Sequence, residues 1–543
     1  MKPASVTIAF SRIPLIAVFC LLSGMMLPGT GHALSSNNIP LDSPVYAYLE
    51  KLVSFGLIRS DFRGIRPFSK AEAARLLHEA EVAQADGEGN ALSAALIEEA
   101  RSYVKREYRL REEPGNAPLF AMSPISASRL RYVYFTGVPR NYERLVHDPG
   151  GDGVFGIGSG LRPVNPPDAT VLQHGSEGTP FLENNEGTVY RRGSNVEFRT
   201  SAEAWFTRYL SLLAEPQVNY FENGSSAELR LNKGYLKLGG GPFEIEVGRD
   251  ANWFGMGTRS AITLTDNARN LDQVKISSPE PISVGFLGAL KYAFVLSRLD
   301  RTETSAGVRE PYFFAGKVSL KPASVVEIGI NLGRQFAGPG VDNSFGSFMR
   351  GLVGGTDNDN SNSLAGIELR VRIPQLRNTE IYGEFSGEDA AAFWPIVESY
   401  VGGFYVPRLT DDGRNDLRFE YFLGNQILYT NGTFPEGYLY RGLPLGDAQG
   451  GATQDFFVRY GHWFSPRNVL YLDYLHTDRG RVGRVAGQAL EQTNGGRITW
   501  NLPLYKCLNM SAMYGWEQVD NFDLVEGVRQ VNQTARFDIS YRY

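Results

Sequence analysis

The chain ends on a strand that restricts its fold more than any other feature. Phe537, Ile539, Tyr541 and Tyr543 alternate with Arg536, Asp538, Ser540 and Arg542 up to the last residue. A period of two sends rings and branched side chains to one face and charges to the other. The pattern recurs upstream, in Phe243-Glu244-Ile245-Glu246-Val247, in Ile367-Glu368-Leu369-Arg370-Val371-Arg372-Ile373 and in Leu417-Arg418-Phe419-Glu420-Tyr421. A soluble all-β protein is the plain reading of such segments. Short turns alternating with long Gly/Asn/Asp loops point instead to a transmembrane barrel, apolar toward lipid and polar toward the lumen.

The start of the chain favours the barrel. Lys2 and Arg12 precede an apolar run from Ile13 to Leu27, and Gly31-His32-Ala33 offers small residues for cleavage, so 1–33 reads as a secretory signal peptide. The run is too interrupted for a membrane-spanning helix. Cys20 falls within the signal and leaves Cys507 unpaired in the mature chain, so folding relies on packing and hydrogen bonds. Beyond the signal no apolar run reaches helix-spanning length, but a closed barrel can cross a membrane because closure satisfies every backbone group. With 60 Gly, 27 Tyr and 32 Phe, the composition suits one. The net charge of -5 comes without a basic patch and argues against a nucleic-acid partner.

Residues 34–120 read as a small periplasmic helical domain. Pro44 starts a helix carrying Tyr46, Leu49 and Val53, and Gly56 ends it. Ser69-Lys70-Ala71-Glu72 is a capping-box pattern for a second helix, and a third is expected from about Leu92 to Tyr108. Residues 121–543 form the expected outer-membrane β-barrel, with about eighteen antiparallel strands running from 126–137 to 533–543. The second and third strands are placed at 189–200 and 203–216. An even count returns both ends to the periplasm. A charge on the lipid face costs about 2–4 kcal/mol at the midplane, so Glu368, Arg370, Arg372, Arg418 and Glu420 are expected to point inward and pair, partly filling the lumen. The segment from Val138 to about Thr188 is expected to cover the mouth.

Little in the chain suggests catalysis. The histidines are scattered with no metal-ligand spacing, His476-Thr477-Asp478 has no nucleophile beside it, and Gly150–Gly160 lacks a Walker lysine. No enzyme activity and no cofactor or metal are expected. Two loops are more suggestive. Trp253 shares one with Asn252, Arg259, Asp266, Asn267 and Arg269. Tyr438, Tyr440 and Arg441 share another with Tyr429, Asn431, Phe434 and Asp447. Rings can cover the C–H faces of sugars while amides and charges satisfy hydroxyls. The competing reading makes these rings an interfacial belt and the charges loop braces.

The same loops carry a family resemblance. Gly248-Arg249-Asp250-Ala251-Asn252-Trp253-Phe254-Gly255-Met256-Gly257, then Leu264-Thr265-Asp266-Asn267-Ala268-Arg269, resembles the signature of the Wzi family of capsule-assembly proteins. Phe434-Pro435-Glu436-Gly437-Tyr438-Leu439-Tyr440-Arg441-Gly442-Leu443-Pro444-Leu445-Gly446 is similar to its second block, and Asp42–Tyr46 through Arg66–Ser69 to its helical start. Trp253-Phe254 stands where a double tryptophan is usual, and Glu436 where a histidine is usual. The resemblance implies an outer-membrane, noncatalytic, lectin-like barrel that helps attach capsular or extracellular polysaccharide. Trp253, Arg259, Asp266, Asn267, Tyr438, Tyr440 and Arg441 are the candidate carbohydrate-binding residues. The expected partners are that polysaccharide, outer-membrane lipid and periplasmic export machinery, with the protein itself a monomer. A porin, or a structural scaffold of an export or electron-transfer assembly, stays open as the alternative.

Overall fold

The computed structural model describes residues 34–138, 141–146, 171–176, 178–240, 242–304, 307–338, 341–342, 344–352, 361–388, 397–431, 433–434, 437–482, 484 and 487–542. The expected signal peptide and the terminal Tyr543 lie outside them. Among the described residues no helix is long and apolar enough to cross a membrane; the wall is made of strands.

Among the described residues eighteen antiparallel strands close into one barrel, and a two-residue strand, Ile282–Ser283, pairs with Ala289–Leu290 at its edge. The eighteen are β1 (Phe120–Phe135), β2 (Gly193–Phe206), β3 (Leu210–Phe221), β4 (Ser226–Gly240), β5 (Phe243–Asp250), β6 (Leu271–Ser277), β7 (Ala289–Arg298), β8 (Tyr312–Ala323) and β9 (Val326–Phe336). The circuit continues with β10 (Asn362–Ile373), β11 (Thr379–Glu388), β12 (Val397–Val406), β13 (Asn415–Gly424), β14 (Thr453–Ser465), β15 (Asn468–Arg479), β16 (Glu491–Tyr505), β17 (Leu508–Asp520) and β18 (Arg529–Arg542). The seam joins β1 to β18, with Arg131 opposite Asp538. Arg131 Nε donates to that carboxylate at 2.7 Å, inside the wall.

The alternation works as the lipid argument requires. In β18 Phe537, Ile539 and Tyr541 are exposed on the outer face while Asp538 is buried. In β10 Ile367 and Leu369 face out, and Glu368, Arg370 and Arg372 are buried. The inward charges pair: Arg370 with Asp61 at 2.7 Å and with Glu327 at 3.0 Å, and Arg418 with Glu50 at 2.6 Å.

Three expectations about the fold need correction. The hairpin placed near residue 202 turns at 207–209, so β2 and β3 lie about six residues further along. That turn has no Gly, Pro or Asn to announce it, and Thr207 adopts φ 58°. Pro216, a natural strand end, sits within β3 at a register shift between Glu215 and Pro216, a bulge that tolerates a missing N–H donor. The third helix is two: α3 (Ala91–Arg101) and α4 (Lys105–Glu112). The chain bends between them as Val104 enters the core.

The other helices of the N-terminal domain are α1 (Val45–Ser54) and α2 (Lys70–Ala85); a further short helix, Phe345–Leu352, lies between β9 and β10. Ser69 caps α2 by accepting from Glu72 N at 3.1 Å, but Glu72 turns to Arg75 at 2.8 Å instead of completing a box. Positive φ at Gly87 and Gly89 ends the connection to α3. Helices α1–α4 cover the end of the barrel that carries the short turns. Their apolar core, including Leu49, Leu52, Leu76 and Leu96, runs on into Trp463 and Val469 of the wall. Burying each such side chain contributes about 1.5–3 kcal/mol. At the rim Lys70 pairs with Glu203 at 2.7 Å and Arg111 with Glu280 at 2.8 Å.

Candidate functional site

Both suggestive loops turn inward. After β5 the chain enters the lumen, where Trp253 and Phe254 pair antiparallel with Arg66 and Ile65 from the segment after α1. Carboxylates on the wall hold this backbone in place. Glu420 accepts from Thr258 N at 2.6 Å, Arg259 N at 2.9 Å and Ser260 N at 3.2 Å. Glu384 accepts from Ile262 N at 3.2 Å, and Glu327 from Gly64 N at 3.0 Å. Glu420, which reads in the sequence as lumen lining, is thus a clamp for orphan N–H groups, as are Glu384 and Glu327, and a hydrogen bond to an ionised carboxylate is stronger than a neutral one.

The second loop lies over the first. Thr265 N donates to Leu445 O at 2.8 Å, Thr265 Oγ1 to Gly446 O at 2.5 Å and Asn267 Nδ2 to Pro444 O at 3.2 Å. Tyr429 Oη donates to Ile262 O at 2.6 Å and accepts from Asp447 N at 2.6 Å. Tyr438 Oη donates to Thr263 O at 3.0 Å. The Tyr429 and Tyr438 rings stack 5.5 Å apart, and the edge of Phe313 meets Tyr438. Two glycines make this closeness possible: a Cβ on Gly333 would lie 1.9 Å from Tyr438 Oη, and one on Gly446 would lie 2.0 Å from Ile262 O. Two blocks far apart in sequence thereby become one plug in the end opposite the helices.

The candidate residues take unequal places in this plug. Trp253 is 3% exposed and lies under the Arg66 guanidinium, 4.7 Å from the ring centre. Arg259 pairs with Asp455 at 3.1 Å and Glu183 at 3.4 Å. Asp266 is buried, and its carbonyl accepts from Glu186 N at 2.7 Å; burial and the nearby Glu186 push its carboxyl up to about 8. Asn267, Tyr438 and Tyr440 are buried as well. Arg441 alone keeps an open side chain, 58% accessible, and it pairs with Asp300 at 3.2 Å over the Tyr440 ring. The expectation of seven side chains displayed on outer loops therefore gives way to six inside the plug and one on its surface. Burial results because loops closing a lumen must fill it. The segment before β2 joins them, with Phe181 buried and Arg497 Nη1 donating to its carbonyl at 2.8 Å. Arg66 and Asp300 were not among the candidates. Arg66 stands out in the sequence only as part of the helical-start block and Asp300 not at all; the fold brings them to Trp253 and Arg441. Among the described residues no group of three His, Cys, Asp or Glu side chains could hold a metal.

Comparison with known proteins bears on this plug. The family model for capsule assembly protein Wzi matches residues 162–542, which include both inward-folded blocks. The chain belongs to the Wzi family. It is an outer-membrane barrel. Over 170 residues it is 26% identical to an uncharacterized 55.8 kDa protein in the cps region of Klebsiella pneumoniae, covering 29% of this chain and a third, 33%, of that relative's length. Among solved structures it is similar to Wzi of Escherichia coli, an outer-membrane protein involved in group 1 capsule assembly and a carbohydrate-binding β-barrel. That similarity has a TM-score of 0.65 at 16% identity over 94% of this chain and 100% of the other, and it shows a shared fold. Pseudomonas aeruginosa OpdQ aligns at a TM-score of 0.43 and 9% identity, over 78% and 97% of the two chains.

Proposed function

We propose that this Wzi-family barrel is a noncatalytic, lectin-like protein that holds capsular or extracellular polysaccharide at the cell surface. The observation carrying the reading is the paired-loop plug. It fills the outer end of the barrel with packed side chains, which suits a surface for a polymer to rest on better than a passage. Family membership and the carbohydrate binding of its Escherichia coli relative support the same reading. Arg441 is the residue we assign to direct contact. Trp253, Arg259, Asp266, Asn267, Tyr438 and Tyr440 support recognition by fixing the loops beneath it. The helix-covered end is the face we assign to export machinery, and closure within one chain suits a monomer.

The test is binding of the purified full-length barrel to the host's own polysaccharide. Capture by the wild type, with loss in Arg441→Ala while heat-modifiable gel migration is kept, is the expected result. A wild-type protein that ignores the polysaccharide, or one that conducts steadily in planar bilayers, would replace this reading with a scaffold or a porin.

A further inference from the structure

The short helix Phe345–Leu352 lies outside the wall, and adjacent residues of β8 and β9 show which side it takes. Phe313 and Gln335 point into the lumen: the edge of Phe313 meets Tyr438, and Gln335 Nε2 donates to Gly437 O at 3.0 Å. Phe314 and Phe336, one residue on, therefore point out. Their rings meet the Phe348 ring at 5.7 Å and 5.2 Å. The helix thus rests on the same face as Ile328, Ile367 and Leu369, which are exposed further down the wall.

An outward cation fixes it there. Arg334 stands in register between Phe314 and Ser363 on the outer face, where a bare charge is costly in lipid, yet it is only 1% exposed. Its Nη1 donates to Ser363 Oγ at 3.1 Å. The guanidinium packs so closely on Gly351, in the last turn of the helix, that a Cβ there would have no room. A cation suits a helix C-terminus. Lifting the helix away would turn Arg334 toward acyl chains. The row just above Arg334 is Arg298, Tyr312 and Phe336. It carries the first exposed charge on the outer face of these strands, Arg298, paired with Glu310 at 3.0 Å. The helix therefore lies where the apolar band gives way to charge.

The half of the helix turned from the wall is itself divided. At about 100° per residue, Phe345 and Met349 form one flank and Gly346 and Arg350 the other. Phe345 is 77% exposed. The Arg350 side chain is 69% accessible, and its pair with Asp342, at 3.7 Å, leaves the guanidinium open. Apolar and cationic flanks side by side are what a helix lying in a membrane interface presents.

We infer that Phe345–Leu352 is a lipid-docking helix seated in the outer leaflet. Phe345 and Met349 lie among acyl chains, and Arg350 meets the phosphate of a lipid headgroup. The apolar flank continues the lipid-facing band of the wall. The site is separate from the plug and does not rest on polymer binding there.

Full-length protein is placed in vesicles of phosphatidylethanolamine and phosphatidylglycerol. In a Cys507→Ser background, Phe345→Cys carries a fluorescent label, and Arg441→Cys carries the same label as a water-exposed reference. Nitroxides on acyl carbons near the headgroup should quench the label at 345 and spare the one at 441, and aqueous iodide should do the reverse. The label at 345 should report an about fivefold preference for nitroxide-bearing phosphatidylglycerol over nitroxide-bearing phosphatidylcholine. Adding Arg350→Gln should abolish that preference and keep the quenching. Iodide quenching at 345 equal to that at 441, or no quenching by lipid, overturns the seating. Equal quenching by the two headgroups, or a preference that survives Arg350→Gln, overturns the phosphate contact. Heat-modifiable migration of each variant separates a displaced helix from a barrel that has not folded.

Discussion

The two ends of this barrel are closed by different means. At the helical end buried ion pairs add to the apolar core of the helices. Lys51, wholly buried in α1, pairs with Asp416 at 2.7 Å and donates to Pro407 O at 2.6 Å and Gly413 O at 2.9 Å. Glu50 sits between Arg418 and Arg63. At the other end the two loops meet through backbone carbonyls, tyrosine hydroxyls and stacked rings, and wall glutamates hold the backbone from the side. A charged lock is costly to break and sensitive to protonation. A packed one is sensitive to shape and single hydroxyls. The difference is that between a fixture and an adjustable surface.

The largest effect should come from the charged end. Lys51→Met strands the Asp416 carboxylate in the wall, and breaking a buried pair costs about 3–5 kcal/mol. Loss of the folded gel form at a lower temperature, with new protease cuts in α1, is the expected outcome; a double variant that also carries Asp416→Leu should recover much of the loss. Next comes the packed end. Tyr429→Phe removes both hydroxyl bonds and leaves the Ile262 carbonyl and Asp447 N–H unmatched, at about 1–3 kcal/mol. Hydrogen exchange should quicken in 251–270 and stay slow in α1. Equal quickening at both ends would erase the contrast.

Acidity should separate the ends further. Burial raises the Glu50 carboxyl, but Arg418 and Arg63 overcome it and hold the group at about 2. Its contribution is therefore complete above the ordinary 4.5 and fades as pH falls toward 2, so acid should free α1 first. Asp266 has the opposite sign. With its carboxyl raised to about 8 by burial and Glu186, stability is lost as pH climbs from 3.8 toward 8. Asp266→Asn should stabilise the outer plug at pH 7.5, with the gain vanishing near pH 4 in thermal melts. The smallest stability effect belongs to Arg441→Ala. An exposed pair contributes about 0–1 kcal/mol, so melts should scarcely move while polysaccharide capture falls.

What the sequence revealed and what it concealed divide along the same lines. Period-two alternation makes β10, β13 and β18 legible, because lipid on one side and charge on the other leave no second register. The β2–β3 hairpin was misplaced because Thr207-Arg208-Tyr209 looks like strand and Pro216 looks like a strand end. Both suggestive loops were visible as aromatic, amide-rich blocks, but not their direction. A tryptophan beside asparagine and arginine reads the same on a surface as against a guanidinium donated from 187 residues away, as Arg66 is to Trp253. The pairing of Thr265 with Leu445 is equally silent in the chain, since it depends on loops crossing a lumen whose walls are strands apart.

The seam between β1 and β18 gives this arrangement an order in time. Pairing of β1 with β18 completes the wall around the segment before α1, which includes Asn38, hydrogen-bonded to Glu246 at 2.8 Å within the lumen. A chain that zips its seam before that segment is inside must thread it through a mouth afterwards. Loading has to precede or accompany closure, and a slow or shortened α1 would register as barrels that close empty.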